Sequence, residues 1–520
     1  MSPSRTTRGV VAAGHPVTAD AACAILAAGG NAFDAVLAAM LSACVAEPVL
    51  ASLGGGGFLL AHPADGPPEV FDFFVQTPRQ RRALDEIEFQ PILADFGTAQ
   101  QEFHIGMGTI ATPGLARGLF AVHDALGSMP LALVAEPAIT AARDGVVVNA
   151  FQHYIATIVA PILHSRSDAL ALHASSSEPG RLAAEGERLK NPVLADTIDA
   201  LAREGAALFY TGEIGDRIAR DCRQAGGWLG AADLRGYEVI RRPPLATAYH
   251  GHRLFLNPPP AVGGTLLAFT MGLLAGVPAA AEPVSDRGLL AIAEAMSQTQ
   301  GVRRDQRIDF GLDDALARRL LDPLTLAQHR KTLEALLSTR GTTHVSVADS
   351  AGNLASLTLS NGEGSGYVVP GTGIMLNNML GEEDLNARGF HEWPTDVRVA
   401  SMMSPTLAET AEGTWLAVGS GGSNRIRSAI LQTLLHQLDG GLDVEQAVRR
   451  PRIHVENGQL NAEAGFGESA IALLRSRYRG LRIWPDINLF FGGAHTVLRH
   501  ADGSLAGAGD PRRGGVARFA

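Results

Sequence analysis

Lysine and cysteine are both scarce in this chain of 520 residues. The two lysines, Lys190 and Lys331, lie outside glycine-rich loops, so few groups are available for a Schiff base or a phosphate-binding loop. The three cysteines, Cys23, Cys44 and Cys222, cannot all pair with one another. Because Cys23 and Cys44 fall in apolar helical patterns, we expect them to be small core residues.

Several motifs are missing altogether. No paired-cysteine or His-Glu-x-x-His spacing occurs, so we expect neither a metal site nor a cofactor. No Gly-x-Ser-x-Gly motif occurs, which argues against a serine hydrolase. The net charge of −10 provides no basic surface for nucleic acid. No apolar run reaches about 18 residues, so no membrane span is expected. The first apolar run is too short for a secretory signal, and the expected location is the cytoplasm.

The rest of the composition is that of a globular protein, with 46% hydrophobic and 18% charged residues. Helical spacing predicts helices over residues 18–28, 32–45 and 425–438, the second of them capped by Asn31. Apolar runs predict strands, which lie at residues 58–60, 70–75, 344–348, 354–360, 367–369, 374–376 and 414–418. This order favours an α/β (α+β) fold with two sheets packed face to face and helices outside.

The segment Gly341-Thr342-Thr343-His344 precedes one of these strands. A threonine hydroxyl is a poor nucleophile unless a base lies beside it. If the chain is cut before Thr342, its free α-amine, with a pKa near ~7.7–8, can accept the hydroxyl proton at neutral pH. The segment therefore permits a self-cleaving, amide-splitting enzyme, although four residues of this kind are more often a plain turn entering a strand.

Such a nucleophile needs three supports. Gly341 lacks a Cβ and so leaves room around the peptide carbonyl that an N-to-O acyl shift must attack. Ser360 and Asn361, at the end of the next predicted strand, are candidates for orienting the amine and hydroxyl. The turn at residues 419–424 places backbone N–H groups before a helix, where they can stabilise an oxyanion. A plain strand–helix turn is the alternative explanation of those glycines.

The order of motifs over nearly the whole chain resembles the gamma-glutamyltransferase (glutathione hydrolase) family of N-terminal-nucleophile hydrolases. The matching motifs are Gly29-Gly30-Asn31-Ala32-Phe33-Asp34-Ala35, Glu47-Pro48, Gly54-Gly55-Gly56-Gly57-Phe58, Thr112-Pro113-Gly114, Pro258-Pro259-Pro260, Thr342 to Asp349, Gly371 to Asn378, Ser404-Pro405-Thr406 and Asp510-Pro511-Arg512-Arg513.

The resemblance implies a four-layer αββα sandwich and autoproteolysis between Gly341 and Thr342. A large part, residues 1–341, and a small part, residues 342–520, would form one interleaved catalytic domain. They would make a heterodimer, alone or within a higher oligomer. The acyl group of a small-molecule amide would pass to Thr342 and then to water or to an amine.

The resemblance also assigns roles within the site. Thr342 matches the nucleophile, and Thr343 follows it as a residue that helps to hold the site and substrate. Ser360 stands where the family has a second threonine, and Asn361 resembles a nearby asparagine. The oxyanion-binding glycine pair corresponds to Gly421 and Gly422. Ser423, on the same turn, is assigned to substrate binding.

Departures from the family pattern concern the substrate. Phe74 falls where glutamyl-specific members carry an arginine that binds the substrate carboxylate, so a strong bidentate anchor is missing. The acidic residue that binds the substrate amine has counterparts in Glu382, Glu383 and Asp384. Ser401-Met402 replaces a serine pair. Arg79, Arg81 or Arg82 could replace the lost charge, although a solvated basic run is the simpler interpretation.

Three functional hypotheses result. The first is a gamma-glutamyltransferase-like enzyme that cleaves a gamma-glutamyl or related amide. The second keeps the nucleophile but acts on another acyl amide, as cephalosporin-acylase-like members do. The third is a non-catalytic binding descendant, which the joint presence of Thr342, Ser360, Asn361 and the glycine turn disfavours.

Overall fold

The structure is a computed structural model that describes residues 7–95, 100–329, 342–456 and 458–520. Gly341, the residue before the predicted cleavage point, lies outside the described residues. The strands in chain order are β1 Gly9–Ala13, β2 Gly56–His62, β3 Glu69–Phe73, β4 Gln90–Asp95, β5 Gln100–Ile105, β6 Val146–Val147, β7 Arg188–Leu189, β8 Ile240–Arg242, β9 Leu245–Tyr249, β10 His252–Leu256, β11 Thr343–Asp349, β12 Leu354–Ser360, β13 Val368–Val369, β14 Ile374–Met375, β15 Thr406–Glu409, β16 Trp415–Gly421, β17 Ile453–Glu456, β18 Gln459–Ala462, β19 Gly480–Ile483, β20 Gly493–Arg499, β21 Leu505–Ala508 and β22 Val516–Phe519.

Helices in the described ranges are numbered in the same way. They are α1 Pro16–Ala27, α2 Ala32–Ala46, α3 Leu115–Leu126, α4 Leu131–Asp144, α5 Ala150–Ile158, α6 Ala160–Leu163, α7 Ser167–Ala171, α8 Pro192–Glu204, α9 Ala207–Tyr210, α10 Glu213–Gln224, α11 Ala231–Arg235, α12 Val262–Leu274, α13 Asp286–Asp305, α14 Asp314–Leu320, α15 Pro323–His329, α16 Arg425–Leu438, α17 Val444–Arg449 and α18 Glu468–Arg477. Within the described ranges, no helix is long and apolar enough to cross a membrane.

Two antiparallel sheets form the centre of the molecule. One has seven strands in the order β22-β1-β11-β12-β2-β3-β8, and the other has six in the order β21-β20-β16-β15-β10-β9. Strand β11 packs against β20 and β16 of the opposite sheet, which brings the two sheets face to face. Helices α1 to α3 cover the outer face of the larger sheet, and α12, α16 and α17 that of the smaller.

Alternation along the strands explains these layers, because successive side chains point to opposite faces of a sheet. Val11 and Ala13 of β1 belong to the core shared with α1, α2 and α4. Val10 and Ala12, between them in sequence, belong to the core shared with the second sheet. Both faces of the larger sheet are thus buried, and the predicted four-layer αββα arrangement is confirmed.

Each of the two large sheets contains strands from before and from after residue 342. β11 lies between β1 and β12, so a strand of the second part of the chain is paired with one from the first. β12 then pairs with β2, and β15 pairs with β10. The residues before and after 342 therefore share one hydrogen-bonded scaffold.

Local signals located several elements well. Asn31 caps α2 through its side chain, which accepts hydrogen bonds from the backbone N–H groups of Phe33 and Asp34. The predicted bounds of α16 and β12 agree with the structure. The predicted strand 70–75 is shorter, because pairing with β2 ends at Phe73 and Gln76 bridges instead to Thr112 and Arg398.

Candidate active site

The pairing of β11 with β12 places Thr342 at the end of the larger sheet. Thr343 is opposite Leu359 in this antiparallel pair. Continuing the same register by one residue places Thr342 opposite Ser360, as the sequence suggested for these two residues. Thr342 and Ser360 are both buried, and both line one cleft.

This cleft has an empty volume of about 360 Å³, part of it open to solvent. Seven of the predicted site residues line it: Phe74, Thr342, Ser360, Glu382, Ser401, Met402 and Ser423. The lining also contains Asp384, the third of the acidic candidates, and three residues outside the predicted set: Leu385, Met403 and Ile426. Distant segments of the chain thus converge on Thr342, and acidic groups and apolar side chains share the lining.

Glycines allow the backbone to pack closely around Ser360. A Cβ at Gly55 would overlap the carbonyl oxygen of Ser360, and one at Gly57 would overlap that of Thr358. The glycines at 55 and 57 therefore let β2 pack closely against β12.

Gly421 and Gly422 lie behind Thr342 at the end of β16. A Cβ at Gly421 would overlap the carbonyl oxygen of Thr342, so the two backbones are in direct contact. Gly422 has a φ of +116°, in the region that favours glycine. The side chain of Arg513 donates from Nη1 to the same Thr342 oxygen at 3.1 Å. The oxyanion role of the glycine pair remains a prediction.

Two predicted substrate-binding residues do not line the cleft. Thr343 follows Thr342 on β11, so its side chain points to the opposite, helix-covered face of the sheet. There its Oγ1 donates to Oε2 of Glu47 at 2.7 Å. Glu383 is exposed, at the start of a short 3₁₀ turn over Glu383–Leu385, whereas Glu382 and Asp384 on either side of it line the cleft.

Asn361 is buried beside the cleft rather than in its lining. Its Oδ1 lies 3.2 Å from where a Cβ at Gly55 would be. The side-chain Oδ1 and Nδ2 of Asn361 are both buried, and neither has a hydrogen-bond partner among the described residues. A partner role for Asn361 at the nucleophile therefore remains a prediction.

Glu47 was missed as a functional candidate. It is 2% exposed and accepts hydrogen bonds from Thr343 Oγ1 and, at 3.0 Å, from Thr18 Oγ1. Burial raises the pKa of Glu47, an effect that these hydrogen bonds and the charge of Arg513 partly offset. The Glu47-Pro48 motif carried a signal, but only the fold shows that Glu47 lies next to Thr343.

A buried histidine lies beneath Thr342 on the same face of β11. The ring of His344 contacts Thr358 Oγ1 through Nδ1 and Ser346 Oγ through Nε2, each at 2.9 Å. Burial holds the pKa of His344 well below its usual range. The imidazole is therefore neutral at pH 7 and joins the two strands, which is a structural role.

Comparisons with known proteins agree with this geometry. The gamma-glutamyltranspeptidase family model matches residues 18–520. The chain belongs to the gamma-glutamyltranspeptidase family.

Relatives in this family carry two kinds of name. The glutathione hydrolase proenzyme of Escherichia coli (strain K12) is 28% identical over 550 residues, which cover 98% of this chain and 91% of that protein. The acylase ACY 1 proenzyme of Pseudomonas sp. (strain V22) is 30% identical over 522 residues, 97% of this chain and 92% of that protein.

Solved structures show the same fold. The cephalosporin acylase from Bacillus halodurans has a TM-score of 0.81 at 23% identity, covering 99% of this chain and 97% of that one. The gamma-glutamyltranspeptidase of Helicobacter pylori has a TM-score of 0.54 at 23% identity, covering 62% of this chain and 90% of that one.

Phe74 distinguishes this cleft from the glutamyl-specific pattern of the family. It is 1% exposed, lines the cleft and stacks on Phe58 with ring centroids 5.3 Å apart. Its carbonyl oxygen accepts hydrogen bonds from Tyr237 at 2.7 Å and from Arg398 at 2.5 Å. Arg398 is also paired with Asp72 at 3.2 Å, so it is held behind Phe74.

The nearby basic run does not replace the missing arginine in the cleft lining. Arg81 donates to the carbonyl oxygens of His391 and Trp393. Arg79 pairs with Asp396 at 3.3 Å, and Arg82 pairs with Glu86 at 3.1 Å. Within the described residues, the lining contains no arginine or lysine.

Glu382 and Asp384 form an acidic wall of the cleft, and a hydrogen bond joins Asp384 to the turn before α16. Ser423, which has a positive φ of 49°, donates from Oγ to Asp384 Oδ2 at 2.8 Å. The next residue, Asn424, accepts from Arg303 at 2.9 Å. The turn that carries the glycine pair is thereby tied to the wall that carries Glu382 and Asp384.

Proposed function

We propose that this chain is an autoprocessing enzyme that cleaves amides through an acyl ester on Thr342. The observation that carries the proposal is the convergence of Thr342 and Ser360 on one cleft, with Gly421 in contact with Thr342. Membership of the gamma-glutamyltranspeptidase family supports it. The relatives from Escherichia coli and Pseudomonas are named proenzymes, which supports cleavage of the chain.

In the first half of the reaction, the α-amine of Thr342 accepts the proton of Oγ1 while Oγ1 attacks the substrate carbonyl carbon. Backbone N–H groups of Gly421 and Gly422 stabilise the oxyanion that forms. The C–N bond then breaks, and the leaving nitrogen takes the proton from the ammonium group. The product is a free amine and an ester between the acyl group and Thr342.

In the second half, water or an acceptor amine attacks the ester. The α-amine of Thr342 takes a proton from the attacking molecule, the C–O bond to Oγ1 breaks, and Oγ1 regains that proton. A carboxylic acid or a new amide leaves. Ser360, opposite Thr342, helps to orient the amine and hydroxyl through both halves.

The α-amine becomes available only after the bond between Gly341 and Thr342 is broken. In that step Oγ1 attacks the carbonyl carbon of Gly341, the acyl group moves from nitrogen to oxygen, and water hydrolyses the resulting ester. The two products, residues 1–341 and 342–520, stay together as a heterodimer because strands of both are hydrogen-bonded to each other in each of the two large sheets.

The acyl group is either gamma-glutamyl or another acyl chain. The apolar part of the lining consists of Phe74, Leu385, Met402, Met403 and Ile426, which suits an acylase that accepts a less polar chain. Glu382 and Asp384 line the same cleft, where they can contact a polar or amine-bearing part of the acyl group. Both substrate classes therefore enter the test.

A substrate panel on the wild type and Thr342→Ala tests the proposal. We expect wild-type protein to release p-nitroaniline from gamma-glutamyl, glutaryl or aliphatic p-nitroanilides, and Thr342→Ala to be inactive with intact folding. Activity retained in Thr342→Ala would overturn the proposed nucleophile. A folded wild type that turns over no amide would instead support the non-catalytic alternative.

A further inference from the structure

Cleavage before Thr342 would leave this residue as a chain end. Its only covalent connection to the fold would then be its peptide bond to Thr343. The direction in which the amine and Oγ1 point would depend on how firmly that peptide group is held. Residues that contact the 342–343 peptide can therefore position the nucleophile.

The carbonyl side of this peptide is fixed from the second sheet. Arg513 donates to the Thr342 oxygen, and the backbone of Gly421 packs against the same atom. Arg513 is itself buried, at 4% exposure, and burial lowers its pKa to about 10. At neutral pH the guanidinium therefore remains charged.

The other side is fixed from α2. Glu47, the residue directly after α2, donates its backbone N–H to the carbonyl oxygen of Ala43 at 2.8 Å. Its side chain is held by two hydroxyl groups, those of Thr18 and Thr343. A Cβ at Gly14 would lie 2.8 Å from Glu47 Oε2 and 3.0 Å from Thr343 Oγ1, so glycine there leaves room for the Glu47–Thr343 contact.

We propose that Glu47 is a positioning residue for the nucleophile, acting through its hydrogen bond to Thr343 Oγ1. Together with Arg513 it fixes the 342–343 peptide from both faces of the larger sheet, which aims the amine and Oγ1 of Thr342 into the cleft. The inference rests on the proposed function of Thr342. It adds a residue from the distant N-terminal part of the chain that does not line the cleft.

The hydrogen bond between Glu47 and Thr343 is buried, so water does not compete for it. A hydrogen bond to a carboxylate is shorter and stronger than one between neutral groups. Because Glu47 is itself held by Thr18 and by its place directly after α2, its hydrogen bond can restrain the rotation of Thr343. Since a misplacement of about 1 Å can cost about 100-fold in rate, a restraint on the adjacent residue can affect kcat without contact to the substrate.

A matched pair of valine variants separates positioning from mere stability. Thr343→Val and Thr18→Val each remove one buried hydroxyl donor to Glu47, with little change in shape. We expect kcat to fall about tenfold or more in Thr343→Val, with KM unchanged, because the reacting groups would be misplaced. Thr18→Val should keep the wild-type kcat, and Thr343→Ser should restore most of it.

Self-cleavage provides a second readout of the same geometry. Each variant is purified as the full chain, its folding is checked by urea unfolding, and its cleaved fraction is measured by intact mass. Slower cleavage in Thr343→Val than in Thr18→Val, at equal stability, is expected and supports the inference. Glu47→Gln should resemble Thr343→Val, because it replaces one of the two oxygens that accept these hydroxyl groups and keeps the shape.

Two outcomes would overturn the inference: wild-type kcat and cleavage in Thr343→Val, or equal losses in both valine variants. The second would show that Glu47 only stabilises the fold. Thr342→Ala, run in parallel, separates this result from a failure of the proposed function. If that variant is inactive while Thr343→Val is normal, Thr342 remains the nucleophile and only the role of Glu47 is rejected.

Discussion

At the residue scale, Phe74 is the side chain with the most direct bearing on the substrate. Phe74→Arg places a cation in a cleft whose described lining holds none. A hydrogen bond to a charged group contributes about 1.5–3 kcal/mol, so we expect kcat/KM for gamma-glutamyl-p-nitroanilide to rise about 10- to 100-fold. Activity on an aliphatic amide should fall.

Phe74→Leu is the control for this prediction, because it changes the shape of the cleft without adding charge. It should show no gain with the gamma-glutamyl substrate. A folded and cleaved Phe74→Arg protein with no such gain would mean that another residue sets the preference for the acyl group.

Gly421 makes a second residue-scale prediction. Because a Cβ there would overlap the Thr342 carbonyl oxygen, Gly421→Ala must displace one of the two backbones. We expect kcat and the rate of self-cleavage to fall about 100-fold, as for a misplaced reacting group. Gly467→Ala is the control, since the nearest atom to a Cβ added there is 3.9 Å away. A Gly421→Ala protein that is normally cleaved and active would contradict the prediction.

Single residues also show where sequence reasoning stops. Thr342 and Ser360 could be predicted as neighbours because they lie at matching ends of two consecutive predicted strands, which pair when they are antiparallel. Glu47 could not, because its partner Thr343 is 296 residues away and only the packing of α2 on the larger sheet brings them together. The sequence could not show that Glu382 and Asp384, but not Glu383, line the cleft, because a 3₁₀ turn has no simple alternation of inward and outward side chains.

At the element scale, the C-terminal turn after β21 is held by a buried network of charges. Asp510 Oδ2 lies 2.7 Å from Arg452 Nη2, and its Oδ1 lies 3.2 Å from Arg512 Nη1. Asp510 also accepts a hydrogen bond from the backbone of Ala494 in β20, and Arg512 is paired with Glu463 at 2.6 Å. This network ties the turn that carries Arg513 to both β20 and the loop before β17.

Burial alone would raise the pKa of Asp510, but Arg452 and Arg512 outweigh it and lower the value from 3.8 to about 2. The folded pKa is below the unfolded one, so this stabilisation is complete above pH 3.8 and is lost as the pH falls through about 2. We therefore expect Asp510→Asn to reduce the pH dependence of unfolding in that window.

The same substitution should be costly at neutral pH. Removing one partner of a buried ion pair costs about 3–5 kcal/mol, because the other charge stays buried. Asp20→Asn breaks an exposed pair with Arg518 and should cost no more than about 1 kcal/mol. Urea unfolding of both variants measures the difference, and equal losses would contradict this view of the turn.

The bounds of some helices and strands could be predicted from the sequence more accurately than those of others. Those with strong local signals, such as α2 with its Asn31 cap and α16 after the glycine turn, were located closely. The predicted end of strand β3 lies two residues too far along the chain, because the end depends on where pairing with β2 stops. Sheet order was accessible only through the family resemblance, since hydrogen bonding between β1, β11 and β22 joins residues hundreds of positions apart.

At the scale of the whole molecule, the pairing of strands from the two fragments predicts that the cleaved protein stays assembled. β11 and β12 begin the second fragment, yet β11 is paired with β1, and β12 with β2, of the first. Separation would expose both buried faces of the larger sheet. We expect the two fragments to co-elute in native size-exclusion chromatography and to separate only in denaturant. Fragments that separate in native buffer would contradict the interleaved arrangement.

The identity of the nucleophile is the central claim at this scale, since it connects the fold, the cleft and the chemistry. Intact-mass spectrometry of purified wild type and Thr342→Ala, followed by the amide assay on both samples, tests it most directly. We predict that the wild type consists of one polypeptide ending at Gly341 and one beginning at Thr342, and is active. Thr342→Ala should be a single uncut, inactive chain. An uncut wild type that hydrolyses amides, or an active Thr342→Ala, would contradict the account.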